Sequence, residues 1–227
     1  MKRRLTLGVT FALLCGGETL SIRVYDLAHT PAGTIEHASE TAGQLLAEAG
    51  VKVTWEMGAA GSEEGRLADW SPGSTPDQRD YLVVRLVQGP PTDVPEPHLG
   101  YALPNVWRGA HATVYYDRVE KLFFSTKALP RIGSLVGAAM AHEIGHVLLG
   151  SAEHSPEGVM KASWGLEEFR LLTCKKLHFT PDNAAALRAG VVARLGTGRK
   201  FATCPPLGRF NSVSISGFRN CNWIAPL

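Results

Sequence analysis

Along its first half the chain keeps switching between a two-residue and a helical period of apolar positions. Between Ser21 and Asp26, Ile22 and Val24 alternate with Ser21 and Arg23, the pattern of a half-buried strand. From Thr34 to Ala49 the apolar residues Ile35, Ala38, Ala42, Leu45, Leu46 and Ala49 return at three- and four-residue spacing, which predicts a helix with one apolar face. Val51 to Trp55 alternates again and completes a strand-helix-strand unit. Gly58 to Asp80 is polar and glycine-rich and reads as a surface loop before the strand Tyr81 to Val87. A proline-rich connection from Gly89 to Pro97, a short segment at Tyr101–Leu103 and a strand at Ala112–Tyr116 follow.

The second half is read as helical. Ile132, Leu135, Val136, Ala139, Met140 and Val147 mark an amphipathic helix that Pro130 precedes and that Gly150 is placed to end in a left-handed conformation. Leu166 to Lys176 forms another helix. In the last one, Pro181 to Leu195, Thr180 is the N-cap and Leu187, Val191, Val192 and Leu195 share a face. Sheet first and helices afterwards make an α+β protein, and no internal repeat is visible.

Composition narrows the class. With 227 residues and 44% apolar content the chain can bury the core of one domain, and 19% charged residues with a net charge of +2 give no field that calls for nucleic acid. A monomer is expected.

The N-terminus has the layout of an export signal. Lys2-Arg3-Arg4 is basic, Leu5 to Leu14 is apolar, and Cys15-Gly16-Gly17 offers small residues for cleavage before Glu18. A lipoprotein reading of Cys15 is weaker, because Leu14 stands where a small residue belongs. No second apolar stretch is expected to reach the ~18 residues of a membrane span. The expectation is a signal peptide over 1–17, a catalytic domain over 18–195 that divides at 150 into upper (18–150) and lower (151–195) subdomains, and an irregular tail over 196–227. The mature protein would be secreted or periplasmic, with no membrane association after signal removal. Of its three cysteines, Cys204 and Cys221 would pair across the tail and Cys174 would stay free.

The chemistry is concentrated in His142-Glu143-Ile144-Gly145-His146. Residues four apart share a helix face, so His142 and His146 can offer two imidazoles to one Zn²⁺ while Glu143 faces the water bound there. A chain turning at Gly150 can return a third ligand, and His154 lies four residues beyond it. Glu153 is a lesser possibility.

These residues resemble the metzincin branch of the zinc metallopeptidases, whose signature H-E-x-x-H-x-x-G-x-x-H is followed by a turn carrying a methionine. The resemblance implies His142, His146 and His154 as zinc ligands, Glu143 as the catalytic carboxylate, Gly150 as the turning residue and Met160 as the Met-turn residue. This chain has one extra residue on each side of the glycine. It also resembles short secreted bacterial proteins, labelled zinc metalloproteases, that share H-S-P-x-G-[IV]-M; here the segment is His154 to Met160. That likeness runs from the Ser21 strand to the helix near Leu195, with specific residues only from His142 to Met160. It implies a zincin-like fold: a mixed twisted sheet with a backing helix and an active-site helix, then a small, mainly helical C-terminal subdomain.

The thermolysin-like branch takes its third ligand from a glutamate about twenty residues past the second histidine, where Glu167 and Glu168 stand. Acids in a first helical turn are also simply favoured there by the helix dipole.

The activity expected is that of a zinc endopeptidase acting on protein or peptide substrates, with Glu143 as general base and acid. The competing readings are an inactive zincin-fold binding protein and a zinc hydrolase of non-protein amides with Glu167 or Glu168 as the third ligand. Gly100–Leu103 or Ala112–Tyr116 would be the edge strand that pairs with substrate. Tyr101, Tyr115 and Tyr116 are candidates to bind the tetrahedral intermediate, although strand tyrosines usually pack. His29, His37, His98, His111 and His178 lack ligand spacing.

Overall fold

The computed structural model describes residues 18–58, 81–89, 99–104, 112–125 and 130–197. The export signal, Cys204 and Cys221, the loop over 59–80, the proline-rich connection over 90–98, and His98 and His111 all lie outside the described residues.

Five strands form one sheet. They are β1 (Thr19–Asp26), β2 (Lys52–Met57), β3 (Tyr81–Val87), β4 (Gly100–Ala102) and β5 (Ala112–Tyr115), in the spatial order β2-β1-β3-β5-β4. β1 pairs in parallel with β2 and β3, and β3 with β5, whereas β4 runs antiparallel along β5. The sheet is therefore mixed. The period-2 residues decide its faces: Leu20, Ile22 and Val24 of β1 and Leu82, Val84 and Leu86 of β3 are all buried in the main core. β5 is interior, so of the two segments weighed as the edge it is β4 that occupies it.

Helix α1 (Thr34–Glu48) joins β1 to β2 and backs the sheet with Ile35, Ala38, Ala42, Leu45 and Leu46. Helix α2 (Tyr116–Ser125) starts where β5 ends, so Tyr116 opens a helix and does not extend the strand as its sequence suggests. Tyr116, Val119 and the partly buried Phe123 repeat at helical spacing and account for the change.

Helix α3 (Ile132–Leu149) corrects the expectation of an amphipathic element. From Leu135 to Leu148 every residue is buried, because α1, α2, β4, β5 and the later helices surround it. An all-round apolar helix of 18 residues also meets the length and composition of a membrane span, contrary to the expectation that none would, but 83% of it is enclosed by the protein, as in a core helix. Packing against α1 is close enough that a Cβ on Gly137 would meet the Ala38 carbonyl oxygen at 2.4 Å. Gly150 ends α3 at φ 63°, the left-handed conformation that glycine adopts without steric cost. Helices α4 (Leu166–Thr173) and α5 (Pro181–Thr197) complete the described chain, α4 three residues shorter and α5 two residues longer at their C-termini than their patterns suggest.

Candidate metal centre

The apolar run that buries α3 also buries two imidazoles. His142 and His146 stand one turn apart and are 0% and 1% exposed. A buried imidazole needs partners for both nitrogens, and at each residue one nitrogen has a backbone carbonyl. His142 Nδ1 donates to Val159 O at 2.7 Å and His146 Nδ1 to Ser151 O at 2.9 Å; a carbonyl only accepts, so each Nδ1 carries the proton. Burial pushes the His142 pKa well below its ordinary value, helped by the neighbouring His146, and lowers that of His146 to about 4. Both rings are thus neutral near pH 7, and their Nε2 lone pairs face one another at 3.0 Å. Two facing lone pairs repel unless a cation or proton lies between them.

His154 supplies the third imidazole. Gly150 turns the chain, and the His154 ring lies 5.3 Å from that of His142 and 4.8 Å from that of His146 between centroids. One nitrogen from each of the three rings falls within 4.8 Å of the others. His154 Nε2 is buried with no protein partner, and burial lowers its pKa as well. The two inserted residues lengthen the path around Gly150 without keeping His154 away. Three neutral nitrogen donors converging from a helix and a loop can hold one divalent metal ion, and the set fits zinc, which takes imidazole readily.

Glu143 lies beside this group. It is 1% exposed, neither carboxylate oxygen has a hydrogen-bond partner in the protein, and burial holds its pKa well above the ordinary carboxylate range. A buried polar group left unpaired costs about 1–3 kcal/mol, more if charged, which makes such an atom a marker of a site completed by something else. β4 packs close against it: a Cβ on Gly100 would lie 2.9 Å from Glu143 Oε1 and 2.5 Å from the Thr113 carbonyl oxygen. No side chain but hydrogen fits between that strand and the carboxylate.

Met160 packs under the same turn of helix. It is fully buried, and a Cβ on Gly145, the residue before His146, would meet its Sδ at 2.5 Å. Trp164 closes the other flank, its ring edge-to-face with His142 at 6.0 Å between centroids and its indole N–H buried without a partner.

The acids weighed as rival ligands are engaged elsewhere. Glu168 binds Lys161 Nζ at 2.5 Å and accepts the Gly165 N–H at 2.7 Å, while Glu167 is exposed and pairs with Arg170 at 3.3 Å. Glu153 is exposed, and its N–H donates to Ser151 Oγ. Among the described residues the metal-ligating cluster contains the three histidines alone. Tyr101 and Tyr115 face each other at 6.1 Å, and the Tyr101 hydroxyl accepts from Arg85 Nη2. Burial raises the Tyr115 pKa to about 12, with Tyr101 and Glu143 adding to the effect. His37 bonds Ser134 Oγ, His178 Nδ1 donates to the Lys176 carbonyl, and His29 adopts φ 53°. Cys174 is exposed and unpaired.

The residue pattern pointed to the histidines but not to Val159 O, Ser151 O, Gly100 or Trp164. The carbonyl acceptors carry no side-chain signal at all. Gly100 is a glycine in a short apolar stretch, and only its pairing with β5 places it over Glu143.

No protein-family model and no curated protein matches the chain. Among solved structures it is similar to an archaemetzincin from Methanopyrus kandleri, at 20% identity and a TM-score of 0.46, over 79% of this chain and 99% of that one. A likeness at that level says nothing of chemistry, which rests on the residues just described.

Proposed function

We propose that the protein is a zinc-dependent endopeptidase, with His142, His146 and His154 holding the metal and Glu143 moving the proton. The observation that carries this reading is the pairing of three converged imidazole nitrogens with a buried carboxylate whose two oxygens have no protein partner. When bound, zinc supplies Lewis acidity toward water and toward the scissile carbonyl oxygen.

The chain's own residues would act as follows. The Val159 and Ser151 carbonyls keep His142 and His146 in the Nδ1–H form, so both Nε2 atoms stay free to ligate. Glu143 accepts a proton from the attacking water and delivers it to the amide nitrogen as the C–N bond breaks. Its raised pKa suits both halves of that transfer. β4 would take the substrate as a further strand, since it forms the sheet edge and passes directly over Glu143.

The N-terminal 17 residues, by their basic and apolar order, are proposed as an export signal that delivers the enzyme to the periplasm or medium. N-terminal sequencing of the protein recovered outside the cytoplasm tests that part.

The central test measures zinc per chain and cleavage of an unfolded protein substrate by the parent and by Glu143→Ala. Metal retained with turnover lost supports the reading. Turnover retained by the variant refutes it, and a metal-binding parent that cleaves no protein or peptide would favour a binding protein or a non-protein amide substrate.

A further inference from the structure

One short loop supports two of the three histidines. Residues 155 to 161 close on themselves: the Ser155 N–H donates to Met160 O at 2.8 Å, and Ser155 and Lys161 form an isolated bridge. Val159 in this loop supplies the carbonyl that orients His142, and Ser155 follows His154 directly. The loop is in turn tied to the C-terminal segment at two points. The Val159 N–H donates to His178 O at 3.0 Å, and Ser155 Oγ donates to Asn183 Oδ1 at 2.7 Å.

Asn183 is well placed to serve as an anchor. It lies in the first turn of α5, where its own N–H is bound by the capping hydroxyl of Thr180 at 3.3 Å, and α5 is held against α3 through the buried Leu187 and Val191. The stretch from Ser151 to His154 has no helix or strand of its own to hold it. Its path is set at one end by the Gly150 turn and at the other by what fixes Ser155.

We propose that Asn183 is a positioning residue for the metal centre, acting through Ser155 to hold His154 at ligand distance from His142 and His146. The proposal rests on the reading of His154 as a ligand. It means that α5, which contributes no ligand, sets part of the affinity for the metal. By linkage, metal binding should in turn tighten the packing of α5.

The test is zinc affinity, measured on the full chain by competition with a chromogenic chelator. Asn183→Ala should bind zinc about tenfold more weakly, at the lower end of what groups orienting metal ligands contribute. Asn183→Asp keeps an acceptor for the Ser155 hydroxyl and should stay within about twofold of the parent. Ser155→Ala should weaken binding as Asn183→Ala does, and the double variant should add nothing further. Melting of the metal-free proteins in chelator separates this from damage to the fold, and should fall far less than the affinity predicts. Parent-like affinity in Asn183→Ala, or failure of the aspartate to restore it, overturns the proposal. A parent that binds no zinc overturns the metal centre itself, a separate outcome.

Discussion

Met160 sits in the space that a side chain on Gly145 would need, with its Sδ 2.5 Å from where that Cβ would be. Helix and loop interlock here beneath the histidines, so the methionine and the glycine are two halves of one packing decision. Gly145→Ala should destabilise by about 1–3 kcal/mol through overpacking, although alanine is the better helix former. Met160→Ala should cost about 2–5 kcal/mol through the cavity it leaves. Urea denaturation of both and of the double variant checks the coupling: the double should cost less than the sum, since each change relieves the other.

Each histidine should be separable by metal content. His142→Ala and His146→Ala remove ligands from a rigid, buried helix and should abolish stoichiometric zinc binding. His154→Ala leaves two ligands in place and should bind only weakly. Atomic absorption after dialysis against a mild chelator reads all three. Full zinc retention in His154→Ala would remove that residue from the ligand set.

Glu143→Ala should keep one zinc per chain and lower kcat by about 10²–10⁴-fold, the range for a positioned general acid or base. Steady-state cleavage of an unstructured substrate measures it. Glu143→Gln should behave alike, because it preserves shape but cannot take the proton.

Gly100→Ala should impair turnover without removing the metal. The added methyl would press on Glu143 Oε1 at 2.9 Å and on the Thr113 carbonyl, so either the carboxylate or the edge strand must move. None of the atoms that methyl would meet belongs to a histidine. Zinc content unchanged and kcat reduced is the expected pair of results, and Glu143→Asp in the same background, with its shorter side chain, tests whether the collision is with the carboxylate.

Acid should weaken the loop that leads out of the metal centre. Burial alone would raise the Glu168 pKa, but the Lys161 ammonium and the Gly165 N–H outweigh it and leave the pKa below its ordinary value of 4.5. A carboxylate whose folded-state pKa is depressed stabilises fully above its unfolded value and loses that contribution as pH falls through the folded one. Stability should therefore decline below about pH 4.5 partly through this pair. Glu168→Gln should lower stability near neutrality, where the parent pair is intact, and flatten the fall of stability with acid, so that parent and variant converge below that window.

How far the sequence could be read follows the range of each interaction. Tyr81–Val87 is a strand in pattern and in structure with the same bounds, because a continuous apolar run between polar segments is a local signal. The spacing of His142 and His146 is just as local, and Gly150 announces where the chain turns toward His154. The rest is set by residues outside each short pattern. By its own pattern Tyr116 ends a strand, because Thr113 to Tyr116 is β-forming in type, while the helix it opens is specified by Val119 and Phe123 further on. The amphipathic pattern of α3 misleads for a related reason: beyond Ser134 in its first turn, its polar positions are His142, Glu143 and His146, which are buried in an interior site and do not face solvent. Gly100 became meaningful only when β4 was laid along β5, and Asn183 only when α5 was brought back beside the loop at Ser155.

Enclosure of α3 on every side bears on how such a protein could diversify. A change at almost any position from Leu135 to Leu148 disturbs a neighbour already in contact, so the helix offers little room for adaptation. Any variation in what the site accepts would have to arise in the connecting stretches around it, where residues can be gained or lost while the three histidines and Glu143 stay in place.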